Sequence, residues 1–121
     1  MNRQVLIVED ESLLVMVLED ILPELGYDVC ASAGSVSSAL HVLQSQDPDL
    51  AILDINLGGH RSFPVADVLR ERGIPFLFAS GYTQSILPER HAEAVLVAKP
   101  YGRSELEDAL ARLPPRRPRH S

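Results

Sequence analysis

Short apolar runs alternate along the chain with longer segments in which apolar residues recur every three or four positions. Five of these runs have the length and composition of β-strands: residues 4–8, 27–31, 50–53, 76–79 and 94–98. Runs that are apolar at consecutive positions suit strands buried on both faces, as in a parallel sheet covered by helices. The pattern therefore predicts an α/β fold with a doubly wound, five-stranded parallel sheet.

Helix signals occupy the connections between these runs. Pro23 lies inside the first helical pattern and predicts a kink or an early end. Ser35 is a predicted N-cap, and a third helix is expected to begin near residues 62–63. Residues 104–107 have the capping-box pattern Ser-Glu-Leu-Glu, which predicts the start of the last helix. The weak apolar stripe of segment 84–93 predicts a fourth helix that is short, irregular or mobile.

Composition and charge narrow the class of protein. The chain has 121 residues, 45% of them hydrophobic and 23% charged, which suits one globular domain over residues 1–113. A net charge of −6 argues against a nucleic-acid partner, and the basic Pro/Arg-rich tail, residues 114–121, is predicted to be disordered. The single cysteine, Cys30, fits a reducing cytosol, and no apolar run approaches a membrane span. We expect a cytoplasmic protein.

Polar residues follow the apolar runs at positions that a parallel sheet would bring to one edge. Glu9 and Asp10 follow the first run, Asp54 the third, Ser80 the fourth and Lys99 the fifth. Ligand sites of open α/β sheets lie beyond the carboxyl ends of the strands. Carboxylates gathered there repel one another unless a cation joins them, and Mg²⁺ accepts such oxygen ligands. Asp54 is the best candidate for a nucleophile towards phosphorus, with Lys99 and Ser80 available to the phosphoryl oxygens.

This arrangement of residues resembles the receiver domain of two-component response regulators, and the resemblance covers residues 4–113. It implies a flavodoxin-like sheet with strand order 2-1-3-4-5. It also implies that Asp54 accepts a phosphoryl group from a histidine kinase or a phosphotransfer protein and thereby switches the binding of a downstream partner. The implied protein is a signalling domain that assists its own phosphorylation and dephosphorylation, rather than an enzyme.

The resemblance also implies a role for each residue around Asp54. Asp10 and Asp54 would bind Mg²⁺ (or Mn²⁺) directly, the backbone carbonyl of Asn56 would be a further ligand, and Glu9 would reach the ion through a water molecule. Ser80 is the implied switch hydroxyl, and Lys99 is the implied contact to the phosphoryl group.

One feature departs from the usual receiver pattern. Leu96 stands three places before the lysine, where receivers typically carry an aromatic switch residue, whereas Tyr82 follows two places after Ser80. The stretch FASGYT is similar to a subgroup with a Phe-Ala-Thr-Gly-aromatic-Tyr motif, the FAT-GUY type, whose fourth helix is degenerate. That similarity implies a switch role for Tyr82 and a kinase of the HWE or a related class. The bond preceding Pro100 is implied to be cis.

Other interpretations of the sequence remain open. A receiver fold could bind partners without phosphorylation. A phosphatase with an aspartyl nucleophile would need a second acid where Asn56 stands, together with room for a cap domain. A dinucleotide-binding module would need a Gly-rich turn after the first strand, and acids occupy that turn. Few residues follow Leu113, so we expect a stand-alone receiver or a fragment of a longer protein, with no nucleic-acid or membrane partner.

Overall fold

Seven strands and four helices are found in the computed structural model, which describes residues 2–81 and 87–118. The strands are β1 (Arg3–Val8), β2 (Tyr27–Ala33), β3 (Leu50–Asp54), β4 (Asn56–Leu57), β5 (His60–Arg61), β6 (Phe76–Ser80) and β7 (Val95–Ala98). The helices are α1 (Ser12–Glu24), α2 (Val36–Val42), α3 (Phe63–Glu71) and α4 (Arg103–Ala111), and a 3-10 turn covers Glu89–His91. None of these helices is long and apolar enough to span a lipid bilayer.

Five of the strands form one parallel sheet in the order β2-β1-β3-β6-β7. Numbered among themselves these strands have the order 2-1-3-4-5, so the predicted fold class and topology are confirmed. The strand order reverses between β1 and β3, and such a switch point opens a crevice at the carboxyl ends of the strands. The acidic residues that follow β1 and β3 are therefore brought to the same edge.

The core consists of two clusters of apolar side chains, one on each face of this sheet. Leu6 and Val8 of β1 pack on one face with residues of α2 and α3. Val5 and Ile7 pack on the other face with residues of α1 and α4. Successive side chains of a strand point to opposite faces, and both faces are covered. This double burial explains why the strands are continuous apolar runs in the sequence.

The ends of the helices match most of the predicted signals. α1 ends at Glu24, immediately after Pro23, as the proline predicts. The hydroxyl of Ser35 accepts a hydrogen bond from the Ser38 N–H at 3.1 Å, which confirms the predicted cap of α2. The capping box predicted at residues 104–107 is wrong. α4 begins at Arg103, which leaves Ser104 inside the first turn rather than ahead of it.

A small antiparallel hairpin, β4–β5, separates β3 from α3. Its turn consists of Gly58 and Gly59, whose φ angles are 57° and 88°. Two-residue hairpin turns with positive φ at both positions favour glycine, so the Gly-Gly pair was a sequence signal for this hairpin. The hairpin is nevertheless absent from the elements predicted from the sequence. Leu57 is buried in the core below α3, and this burial fixes the hairpin against the domain.

The described part of the connection from β6 to β7 contains the 3-10 turn in place of a full helix, as predicted. Its last residue, His91, is buried and lies within 6 Å of the ring centroid of Phe78. Arg70 Nε donates to His91 Nδ1 at 3.3 Å, so His91 Nε2 carries the proton and donates to Asp67 Oδ1 at 2.7 Å. These contacts attach the turn to α3.

The described part of the tail, residues 114–118, makes contacts with the domain. Arg116 forms an ion pair with Asp47 at 2.7 Å, and only 10% of its side chain is exposed. The backbone N–H of Arg117 donates to the carbonyl of Gly73 at 3.1 Å. Residues 119–121 lie outside the described residues, so disorder of the whole tail stays a prediction.

The contacts of Arg116 predict a contribution of the tail to stability. Because its guanidinium is largely buried against a carboxylate and a carbonyl, Arg116→Ala should lower the free energy of unfolding by about 1–3 kcal/mol. Urea denaturation measures the change. Arg112→Ala, at an exposed position near the end of α4, is the matched control. Equal stability of the two variants would contradict this role of the tail.

Candidate metal and phosphoacceptor site

Three carboxylate side chains meet at the carboxyl edge of the sheet. Oxygen atoms of Glu9, Asp10 and Asp54 all lie within 4.8 Å of one another. The parallel register pairs Val8 of β1 with Leu53 of β3, so the residues that follow in each strand become neighbours. Glu9 and Asp54 are only 5% and 6% exposed, whereas Asp10 is exposed to solvent. The predicted convergence of the acids is therefore observed.

The ammonium group of Lys99 lies between two of these acids. Its Nζ donates to Glu9 Oε1 at 2.7 Å and to Asp54 Oδ2 at 3.0 Å. Lys99 follows β7, and its backbone N–H donates to the carbonyl of Ser80 at the end of β6. The peptide bond between Lys99 and Pro100 is cis. One cation thus balances part of the negative charge of the cluster.

Burial and mutual repulsion alter the proton affinities of the site. Burial raises the pKa of Glu9 to about 7; the hydrogen bond from Lys99 opposes this rise and the nearby Asp54 adds to it. Burial works against the charged form of Lys99, but its hydrogen bonds to Glu9 and Asp54 outweigh that effect and raise its pKa. Burial, with a contribution from Glu9, raises the pKa of Tyr101 to about 12. The charged form of Glu9 is therefore disfavoured mainly by burial, and Asp54 adds a smaller effect.

A backbone N–H group holds one oxygen of each carboxylate. The pairs are Glu11 N with Glu9 Oε2 (3.2 Å), Asn56 N with Asp54 Oδ1 (3.2 Å) and Gly58 N with Asp10 Oδ2 (3.0 Å). The first two donors lie two residues after their acceptors, whereas Gly58 reaches Asp10 from the hairpin. The contact of Gly58 was not predicted from the sequence, because it depends on the hairpin.

The donor set of this cluster suits a hard divalent cation. Carboxylate oxygens from Glu9, Asp10 and Asp54 are the ligands that Mg²⁺ prefers, and Mg²⁺ completes its shell with water. An added cation would also relieve the repulsion that Lys99 leaves unbalanced. Asn56, predicted as a carbonyl ligand, lies next to this cluster at the start of β4. The residues present therefore fit the metal that the sequence predicts.

Of the two predicted switch side chains, Ser80 and Tyr82, the structure describes Ser80. Ser80 is buried at the end of β6, and the register places Asp54 opposite Ala79, so Ser80 lies one position further along the neighbouring strand. Leu96, on β7, is 37% exposed. Tyr82, predicted as a switch residue, lies outside the described residues.

A cavity of about 750 Å³ lies at the opposite edge of the sheet. Its lining includes Phe76 and Val95, which begin β6 and β7, together with Arg70 and Arg117. It shares no residue with the carboxylate cluster, and it is therefore not the site of the predicted phosphoryl chemistry.

The fold and the cluster together define the class of protein. A parallel sheet of order 2-1-3-4-5, with acids at the ends of its first and third strands and a lysine after its fifth, is the arrangement that the sequence predicts for a receiver domain. The family model of the response regulator receiver domain matches residues 5–111. The chain therefore belongs to the response regulator receiver domain family and is a receiver of two-component signalling.

Solved structures and curated relatives agree with this assignment. SdrG from Sphingomonas melonis Fr1 is 40% identical, with a TM-score of 0.80 over 91% of this chain and 94% of SdrG. The PhyR receiver domain of Erythrobacter litoralis is 30% identical, with a TM-score of 0.82 over 92% of this chain and 88% of that domain. PdtaR, a transcriptional regulatory protein of Mycobacterium tuberculosis, is 32% identical over 89% of this chain, which spans 55% of PdtaR.

The raised pKa of Glu9 predicts a dependence of stability on pH. The pKa of Glu9 in the folded state is about 7, above its ordinary value of 4.5, so protonation of Glu9 stabilises the folded state. This contribution is complete below about pH 4.5 and is lost as the pH rises through about 7. Glu9→Gln removes the titration. Its free energy of unfolding relative to the wild type should therefore rise by about 2 kcal/mol between about pH 5 and about pH 8.

Urea denaturation without divalent cations at the two pH values measures this difference. Glu19→Gln, an exposed substitution on α1, is the control. A relative stability of Glu9→Gln that is the same at both pH values would contradict the shifted pKa.

Proposed function

We propose that the chain accepts a phosphoryl group on Asp54 from a histidine kinase or a phosphotransfer protein, and that this event switches the binding of a downstream partner. The observation that carries the proposal is the position of Asp54. Its carboxylate lies at the switch point of the sheet, between two further acids and within hydrogen-bond distance of Lys99. No other group of three acids at metal-binding distance occurs among residues 2–81 and 87–118.

The chemistry follows from the atoms around Asp54. A carboxylate oxygen of Asp54 forms a bond to phosphorus while the bond from phosphorus to the donor's histidine nitrogen breaks, and the electron pair of that bond stays on nitrogen. The products are an acyl phosphate on Asp54 and the free histidine of the donor. Lys99 Nζ, which already contacts Asp54 Oδ2, is positioned to bind a phosphoryl oxygen while it keeps its bond to Glu9.

A divalent cation completes this proposal. Mg²⁺ (or Mn²⁺), held by Asp10 and Asp54 with Glu9 close by and the Asn56 carbonyl as a further ligand, would neutralise charge on the transferred group. The protein's own contribution is to keep the acids together and to orient them through backbone N–H groups.

The acceptor role of Asp54 predicts the result of a direct substitution. With Mg²⁺ and radiolabelled acetyl phosphate as a small phosphodonor, Asp54→Asn should take up no label, because an amide oxygen is a poor nucleophile. Asp20→Asn, which changes an exposed acid on α1, should be labelled like the wild type. Labelling of Asp54→Asn at the wild-type level would contradict the assignment.

We propose that the conformational change caused by phosphorylation of Asp54 starts at Ser80. Its hydroxyl lies one strand away from the acceptor, at the end of β6, and the segment that follows leads to the 3-10 turn Glu89–His91. A new contact between Ser80 and the phosphoryl group would move this segment towards a second state. The similarity to SdrG supports the proposal, because a BeF3-activated conformation of SdrG has been solved. That structure is 40% identical, with a TM-score of 0.76 over 89% of this chain and 92% of SdrG.

A substitution of Ser80 should allow phosphorylation of Asp54 but weaken the conformational change that follows it. Ser80→Ala should still be labelled by acetyl phosphate, because Asp54 and Lys99 are retained. Its amide NMR signals for residues 82–95 should shift much less on addition of beryllofluoride and Mg²⁺ than those of the wild type. Ser104→Ala, exposed on α4, is the matched control. Shifts of wild-type size in Ser80→Ala would argue against a switch through this hydroxyl.

The class of the phosphodonor is also proposed from the similarity to SdrG and to the PhyR receiver domain. The FASGYT stretch, with Tyr82 as its aromatic residue, supports a donor kinase of the HWE or a related class, acting in the cytoplasm. The corresponding experiment incubates a phosphorylated kinase of this class with the protein. The phosphoryl group should pass to the wild type and not to Asp54→Asn.

A further inference from the structure

The hairpin β4–β5 contributes a backbone group to the acidic cluster. The N–H of Gly58 donates to Asp10 Oδ2 at 3.0 Å, across 48 positions of the sequence. Among the described residues, the Gly58 N–H is the hydrogen-bond donor to the Asp10 carboxylate. Glu9 and Asp54 differ, because each also accepts a hydrogen bond from Lys99. The direction of the Asp10 side chain therefore depends on Gly58.

The hairpin is built so that this N–H group keeps its place. Leu57 is buried in the core, and the Ser62 N–H donates to the carbonyl of Ile55 at 2.9 Å, which closes the base of the hairpin. Gly58 has a φ angle of 57° at the first position of the turn, and its N–H donates to Asp10. A residue with a β-branched side chain tolerates this angle poorly, whereas glycine and asparagine adopt it.

We infer that Gly58 is a positioning residue: its N–H group orients Asp10 so that the other carboxylate oxygen points into the site of the divalent cation. The inference rests on the proposed function, because it concerns the metal that supports phosphorylation. Groups that orient a metal ligand in this way strengthen binding of the metal, and their loss costs about tenfold or more in affinity. The hairpin is thus part of the metal site.

Substitutions at two glycines test this inference on the whole 121-residue chain. Gly58→Val should weaken Mg²⁺ binding about tenfold, measured by titration followed in amide NMR spectra. Gly58→Asn should recover most of the affinity, because asparagine tolerates the positive φ and keeps the N–H group in place. Gly26→Val is the matched control: Gly26 has a φ of 93° and, as at Gly58, an added Cβ would meet no atom within 4 Å. Gly26 precedes β2 at the opposite edge of the sheet, so this variant should bind Mg²⁺ like the wild type.

A second measurement keeps the test decisive if Gly58→Val does not fold. Gly58 is exposed, so its amide hydrogen should exchange slowly only because it is bonded to Asp10. Exchange at Gly58 should become faster in Asp10→Ala. Equal exchange rates in the two proteins, or equal Mg²⁺ affinities of Gly58→Val and Gly26→Val, would overturn the inference.

Failure of the inference can be distinguished from failure of the proposed function. A wild type that takes up label from acetyl phosphate with Mg²⁺, while all glycine variants bind the ion equally, contradicts only the role of Gly58. A wild type that neither binds Mg²⁺ nor takes up label contradicts the proposed function, and the inference falls with it.

Discussion

The site depends on the balance between crowded carboxylates and the single ammonium group of Lys99. Glu9 and Asp54 are almost completely buried, and burial of like charges is unfavourable unless they are neutralised. Lys99 contacts both acids, yet burial, with a smaller contribution from Asp54, still raises the pKa of Glu9 to about 7. Three carboxylates beside one ammonium group favour the binding of a divalent cation.

The pairing of the strands in the sheet determines the positions of these charged groups. The parallel register of β1 with β3 makes Glu9 and Asp54 neighbours, and the pairing of β6 with β7 places Lys99 next to the end of β6. The hairpin after β3 adds the Gly58 N–H group from the open side of the cleft. Rigid strands therefore hold the buried acids, whereas a short exposed turn orients the acid that faces solvent.

Much of this arrangement was predictable from local patterns. Apolar runs located the strands, and the residues that follow them, such as Asp54, identified the site because parallel topology carries strand ends to one edge. The partners of individual atoms were not predictable. That Lys99 contacts Glu9 as well as Asp54, and that Gly58 contacts Asp10, depends on distances set by the folded chain. The capping box predicted at Ser104 was wrong because α4 begins at Arg103, two residues earlier than a cap at Ser104 requires.

The central claim is that Asp54 carries the phosphoryl group, and chemical trapping of the acyl phosphate tests it most directly. Borohydride reduces an aspartyl phosphate to homoserine, which peptide mass spectrometry can assign to one position. After incubation with Mg²⁺ and a phosphodonor, we expect homoserine at position 54. Homoserine at another aspartate, or no homoserine in protein that has taken up phosphate, would contradict the account.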